Sequence, residues 1–199
     1  MTSVTSVCVY CGSAGAVDPA YRDAATGLGR LLAQAGVNLV YGGGRVGLMG
    51  LVADAVMAGG AHVTGIIPEF LDKYEVGHTG LSELIVVDTM HTRKQQMMDR
   101  ADAFIVLPGG FGTLEELFEV LTWKQLRLHD KPILILDLPG TDGRGFWEPL
   151  TGLLNHIIGQ NFAKPETAAL WQVITRLDDV LPALRAAPPP AVPVETKWL

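Results

Sequence analysis

One run of residues combines chemical types that could handle an anion, Pro108 to Glu116, PGGFGTLEE. Gly109, Gly110 and Gly112 carry no side chain to hold an anion away from the backbone. A helix following Thr113 would direct free amide groups and a partial positive charge at that anion. This is the chemistry of a phosphate cradle, with Gly109, Gly110, Phe111, Gly112 and Thr113 as its substrate-binding residues. Thr113 and Glu116 also have the T-x-x-E spacing of a capping box, in which each side chain caps the other's backbone. Capping alone does not call for three glycines before the cap, and the two readings can coexist.

Two further glycine segments follow apolar runs: Cys11-Gly12-Ser13 and Gly42-Gly43-Gly44. In an open parallel sheet ligands bind beyond the carboxyl ends of the strands, so these turns should converge with the first, adding Gly12, Ser13, Gly43 and Gly44 to the candidate site. Gly42, Gly44 and Gly47 match G-x-G-x-x-G, the pattern of a dinucleotide site. That pattern normally follows the first strand and needs an acidic residue at the tip of the next. Here the tip reads Ile66-Ile67-Pro68, which favours close helix-to-sheet packing around a turn that also lines the pocket. Arg93 and Lys94 follow a strand ending at Val87-Asp88. They emerge on the glycine side of the sheet, although an isolated Arg-Lys pair is often only a solvated helix face.

The elements that must position these residues are legible as alternating patterns. Apolar runs at Ser6 to Tyr10, Val37 to Tyr41, His62 to Ile67, Leu84 to Val87, Ala103 to Leu107 and Pro132 to Leu136 are separated by helical segments. This pattern predicts an α/β protein with a parallel sheet, buried on both faces by helices. The first helix should start with Asp18 as N-cap and Pro19 at its first position and end near Gly36. A second follows Gly47 with an apolar stripe of Leu48, Leu51, Val52, Ala55 and Val56. Others are expected over His91 to Ala101, after Gly112, and beyond Trp147. A last strand at Leu170 to Ile174 and a helix around Leu177 to Leu184 complete the pattern. At 199 residues, one domain over residues 1–187 is expected. The Pro-rich tail, 188–199, should be extended or disordered.

Composition excludes several classes. A net charge of −6 argues against a broad electrostatic grip on nucleic acid or an anionic membrane, so any phosphate site must be local. No apolar run approaches the ~20 residues that span a bilayer, and the N-terminus lacks a signal-peptide pattern, which makes the cytoplasm the expected compartment. Cys8 and Cys11 form C-x-x-C, but on a strand residues three apart point to opposite faces, and no second pair exists for zinc. They read as buried reduced thiols. His62, His78, His129 and His156 show no nucleophile or carboxylate partner in sequence. His91 reads as a structural residue with Asp88 and Thr89 nearby, and Trp123 as packing or a dimer contact.

MHTRK at 90–94, LPGGFGTLEE at 107–116 and GGGRVGLMG at 42–50 together closely resemble the Lonely Guy family of cytokinin riboside 5'-monophosphate phosphoribohydrolases. The likeness runs from about Cys8 to Pro132. It implies a Rossmann-like doubly wound sheet in a homodimer or higher oligomer. The implied reaction is hydrolysis of a purine riboside 5'-monophosphate to base and ribose 5-phosphate, with no metal or other cofactor. By motif position Arg93 and Glu116 match the family's catalytic pair, while Lys94 and Gly110 to Thr113 match substrate-binding positions. Glu75 and Thr122 match further substrate-binding positions, Glu75 by spacing alone. A noncatalytic carrier of a phosphorylated pterin or nucleotide, AMP hydrolysis without cytokinin preference, and lysine decarboxylation are the competing readings.

Overall fold

In this computed structural model residues 4–75 and 77–186 are described, with the backbone alone at 73–75. Seven strands form one parallel sheet: β1 (Ser6–Tyr10), β2 (Asn38–Tyr41), β3 (Val63–Pro68), β4 (Glu83–Val87), β5 (Ala103–Val106), β6 (Ile133–Leu136) and β7 (Gln172–Ile174). Their order is β4-β3-β2-β1-β5-β6-β7, so the chain winds outward from β1 in one direction and then from β5 in the other. The register sets Val7 beside Leu39 on one side and Ala103 on the other. The crevice at such a switch point is where an open α/β sheet binds ligands.

Helices α1 (Pro19–Gln34), α2 (Gly47–Ala58) and α7 (Val180–Ala186) cover one face. Helices α4 (Met90–Arg100), α5 (Phe111–Gln125) and α6 (Glu148–Gly159) cover the other. β1 shows why both layers are needed: Val7, Val9 and Cys11 join the first core, Cys8 and Tyr10 the second. The two cysteines are free, buried and on opposite sides, as the strand period requires. Burial, aided by the nearby Glu116 carboxylate, pushes both thiols up and keeps them protonated.

Local signals place the helix ends. The Asp18 carboxylate accepts from Ala20 N at 2.9 Å, and α1 stops before Gly36, whose φ of 69° suits a residue without a side chain. Apolar burial of strands holds at the centre and fails at the edges: β1 and β5 are buried along almost their whole length, whereas Glu83 and Val86 on β4 and Gln172 and Val173 on β7 are exposed. Three details depart from the sequence expectation. A short α3 (Glu69–Glu75) follows β3. Residues Pro165–Leu170 form a 3-10 helix, so β7 starts at Gln172. The final helix opens with a 3-10 turn, Leu177–Asp179. The Pro-rich tail expected at 188–199 lies outside the described residues.

Candidate active site

Beyond the carboxyl ends of β1, β2 and β5 lies a cleft of about 250 Å³. Gly12 and Ser13 from the first turn, Gly42 from the second, and Gly110 to Thr113 from the third all line it, together with Arg93, Glu115 and Glu116. The turns are tied by their backbones: Gly12 N donates to the Pro108 carbonyl and Leu48 N to the Gly12 carbonyl, each at 3.0 Å. Gly109 must be glycine for this closeness, because a Cβ there would lie 2.1 Å from Thr113 Oγ1 and 2.9 Å from Gly12 N.

Helix α5 begins earlier than the T-x-x-E spacing implies. Gly110 is the N-cap, in extended conformation (φ −99°, ψ −153°), and no side chain caps the helix. Thr113 and Glu116 both lie inside it, so the capping-box reading is corrected. The first intrahelical bond runs from Leu114 N to the Gly110 carbonyl at 3.0 Å. The amides of Phe111, Gly112 and Thr113 are therefore left without intrahelical partners at the edge of the cleft.

Arg93 approaches from α4. Thr89 is the N-cap of that helix and accepts from Thr92 N, while Thr92 Oγ1 donates to Asp88. These bonds go to Thr92, and His91 is exposed. Arg93 Nη2 donates to the Gly42 carbonyl at 3.3 Å and stands 3.8 Å from Glu116 Oε1. Its Nε is buried without a hydrogen-bond partner. A side chain at 42 would occupy the guanidinium's place, since a Cβ there would lie 1.9 Å from Nη2. Glu116 is 8% exposed, and burial raises its pKa to about 7 against the lowering pull of Arg93. A carboxyl poised near neutrality beside a fixed cation, next to free amides, can bind a phosphorylated sugar and exchange a proton with it or with water.

Other candidate residues have different surroundings. Lys94 is buried, and its ammonium donates to Glu115 and to Glu119, the latter at 3.0 Å. Thr122 is exposed and donates to the Phe118 carbonyl of its own helix at 2.7 Å. Gly43, at φ 77°, packs on Ile67 and Leu84, and its carbonyl accepts from His78 N. Gly44 pairs with Gly77. Glu75 ends α3, and its side chain lies outside the described residues. His78 does have a carboxylate partner, Asp54 at 2.8 Å, while His129 bonds the Val120 carbonyl. Trp123 is half-buried on α5. Glu115, Met49 and Met90 line the cleft without having been singled out from sequence. The signal for the methionines was their place at the start of helices that follow strand-end turns.

A family model described as "Possible lysine decarboxylase" matches residues 49–184. Cytokinin riboside 5'-monophosphate phosphoribohydrolase LOG of Oryza sativa subsp. japonica is 48% identical over 156 residues, 78% of this chain and 62% of its own length. The chain belongs to the Lonely Guy family. LOG1 of Arabidopsis thaliana, named for the same activity, is 40% identical over 183 residues, covering 88% of this chain and 84% of that protein. The match to the rice LOG protein thus leaves more than a third of that relative unmatched. Among solved structures, the molybdenum cofactor binding protein of Rippkaea orientalis superposes with a TM-score of 0.66 at 19% identity, covering 94% of this chain and 98% of that one. The molybdenum cofactor carrier protein of Chlamydomonas reinhardtii gives 0.68 at 17% identity, over 92% and 97%. At such identities these likenesses bear on the Rossmann-like fold alone, which this LOG-family chain shares. Among the described residues, no helix is long and apolar enough to cross a membrane, and no group of three or more His, Cys, Asp and Glu could hold a metal ion.

Proposed function

We propose that this protein hydrolyses the N-glycosidic bond of a purine riboside 5'-monophosphate, a cytokinin nucleotide in particular, releasing the base and ribose 5-phosphate. The observation that carries the reading is the buried Arg93–Glu116 pair facing the open amides of α5. The 5'-phosphate takes the amides of Phe111, Gly112 and Thr113, where the helix dipole favours an anion. Arg93, permanently charged and holding a buried Nε–H to spare, orients phosphate or ribose oxygens. Departure of the base builds positive charge on the ribosyl C1'. The ionised Glu116 stabilises that charge and takes a proton from the attacking water, whose hydroxyl joins C1' as the C1'–N bond breaks; the departing base takes up a proton from solvent, and Glu116 returns its own to solvent. Anchoring the remote phosphate holds the bond in place for this attack, so the free nucleoside should react poorly.

The names of the relatives support this substrate class, and the site chemistry does not favour decarboxylation. Lys94 is a protonated ion-pair member and a poor Schiff-base nucleophile, while Lys131 lies before β6, at the end of the sheet away from the cleft. A homodimer working in the cytoplasm, with residues 1–187 as one domain and no cofactor, completes the proposal on the strength of the family resemblance. Incubation with AMP and with isopentenyladenosine monophosphate, followed by chromatography for free base, tests it. Base from the prenylated nucleotide supports the cytokinin reading, and base from AMP alone supports a general adenylate hydrolase. No base from either would favour a carrier.

A further inference from the structure

The turn that follows β1 borders two cavities, and the hydrolase chemistry uses only one of them. Gly12 and Ser13 line the catalytic cleft, whereas Ala14 and Gly15 line a separate space of about 200 Å³. Two arginines share that second wall, Arg22 from the first turn of α1 and Arg45 from the turn after β2. Gly50 holds Arg45 there: its missing side chain lets the turn lie directly on α2, since a Cβ at 50 would stand 2.0 Å from the Arg45 carbonyl oxygen. Gly47, at the start of α2, also lines the space. That helix begins at Val46 without a side-chain cap. Leu48 N and Gly50 N donate to the Gly12 and Val46 carbonyls, while the Gly47 amide has no partner among the described residues.

The charges here are not balanced. Among the described residues neither Arg22 nor Arg45 makes an ion pair. The carboxylate that lines the cavity, Asp54, is engaged elsewhere: its Oδ1 accepts from His78 Nε2 at 2.8 Å, and Gly80 N donates to the other ring nitrogen of His78. Two guanidinium groups thus face one carboxylate in a chain whose net charge is −6. A concave cationic spot in an acidic protein concentrates anions locally.

We propose that this cavity is a second anion site, separate from the catalytic cleft, which binds inorganic phosphate or the phosphate group of a small phosphomonoester between Arg22 and Arg45. The forked donors of guanidinium match the oxygens of a phosphate. The uncapped start of α2 adds the Gly47 amide and the positive end of a helix dipole. Size limits the occupant. Sites for larger small molecules run from about 300 to 1,000 Å³, so this one has room for phosphate or a sugar phosphate and not for a whole nucleotide. Asp54 Oδ2 is free to accept from a sugar hydroxyl, which gives a phosphomonoester one contact that inorganic phosphate lacks. The site does not depend on the reaction catalysed next to it.

The test is a titration of the 15N-labelled protein, followed by NMR, with inorganic phosphate and separately with ribose 5-phosphate at ionic strength held constant with sodium chloride. The Arg22 and Arg45 Nε–H signals are identified by their loss in R22K and R45K. Both signals and the Gly15 amide should shift together and saturate with one Kd, distinct from the Kd read at the Gly110 and Gly112 amides of the cleft. Tighter binding of ribose 5-phosphate than of phosphate identifies a sugar phosphate as the occupant, and equal affinity identifies phosphate alone. R22Q and R45Q should each weaken the Gly15 response about tenfold and leave the Gly110 and Gly112 response unchanged. Arg22 and Arg45 signals that do not saturate with either ligand overturn the proposal. So does a Gly15 response that survives in both variants, or one that sodium chloride alone reproduces. If a variant does not fold, the arginine signals of the unmodified protein decide.

Discussion

The turns at 42–47 and 108–113 are both glycine-rich, both leave the carboxyl end of a strand and both lead into a helix, yet glycine serves different ends in them. In the second turn Gly110 and Gly112 have nothing within 4 Å of where a Cβ would stand, and their value is an uncovered backbone whose amides face the cleft. In the first turn the missing side chains make room. Gly42 clears the space for the Arg93 guanidinium, and Gly47, at φ 61°, lies against the Ser13 backbone with its Cβ direction 2.4 Å from the Ser13 carbonyl carbon. Gly110 and Gly112 leave donors open to the cleft, whereas Gly42 makes room for the Arg93 guanidinium. A glycine-rich motif therefore does not identify a phosphate site until the destination of its amides is known.

Substitutions by alanine should break this symmetry in a set order. Gly42→Ala should have the largest effect, because the methyl group and Arg93 Nη2 cannot share their position. Displacing the guanidinium by an ångström should cost about 10²-fold in kcat/KM, and steady-state kinetics with a riboside monophosphate would measure it. Gly109→Ala should act mainly on stability. Its methyl would meet Thr113 Oγ1 and the Gly12 amide, an overpacking cost of about 1–3 kcal/mol that thermal unfolding would register as a fall of several degrees. Gly112→Ala should be the mildest. It has open space and a helical position, so stability should hold or rise by up to about 1 kcal/mol, while the KM for phosphorylated substrate rises because a methyl crowds the amides. Equal stability losses from Gly109→Ala and Gly112→Ala would remove the distinction between space-making and donor-presenting glycines.

Much of this arrangement was legible in the sequence because it is local. The β1, β2 and β5 strands, the Asp18-Pro19 helix start and the three converging turns each follow from a few adjacent residues. The misplaced start of α5 has a physical reason: an N-cap glycine has no side chain to announce it, so Thr113 supplied a stronger but false signal. Helix α3 was missed because it is only seven residues long and follows directly on Pro68. The pairing of Lys94 with Glu115 and Glu119 was not legible, because it depends on how two helices are rotated against each other, which no local pattern fixes. Gly42 looked like part of a dinucleotide fingerprint because the residue it accommodates lies about fifty positions away.

The electrostatics of the pair also make stability depend on pH. Because Glu116 has a folded pKa of about 7 against an ordinary 4.5, it imposes no cost at low pH. The cost grows as the pH rises from 4.5 and is complete above 7, reaching about 3 kcal/mol at most. Activity should move the opposite way, with kcat/KM rising to a plateau through pH 7 as the carboxylate forms.

Glu116→Gln joins the two trends in one comparison, turnover and thermal stability of the variant against the unmodified protein at pH 8 and pH 4. The variant should release base about 10² to 10⁴ times more slowly at pH 8, unfold at a higher temperature there, and match the unmodified protein's stability at pH 4. Base release within a few-fold of the unmodified rate by a folded Glu116→Gln protein would contradict the assignment of Glu116 as the catalytic carboxylate.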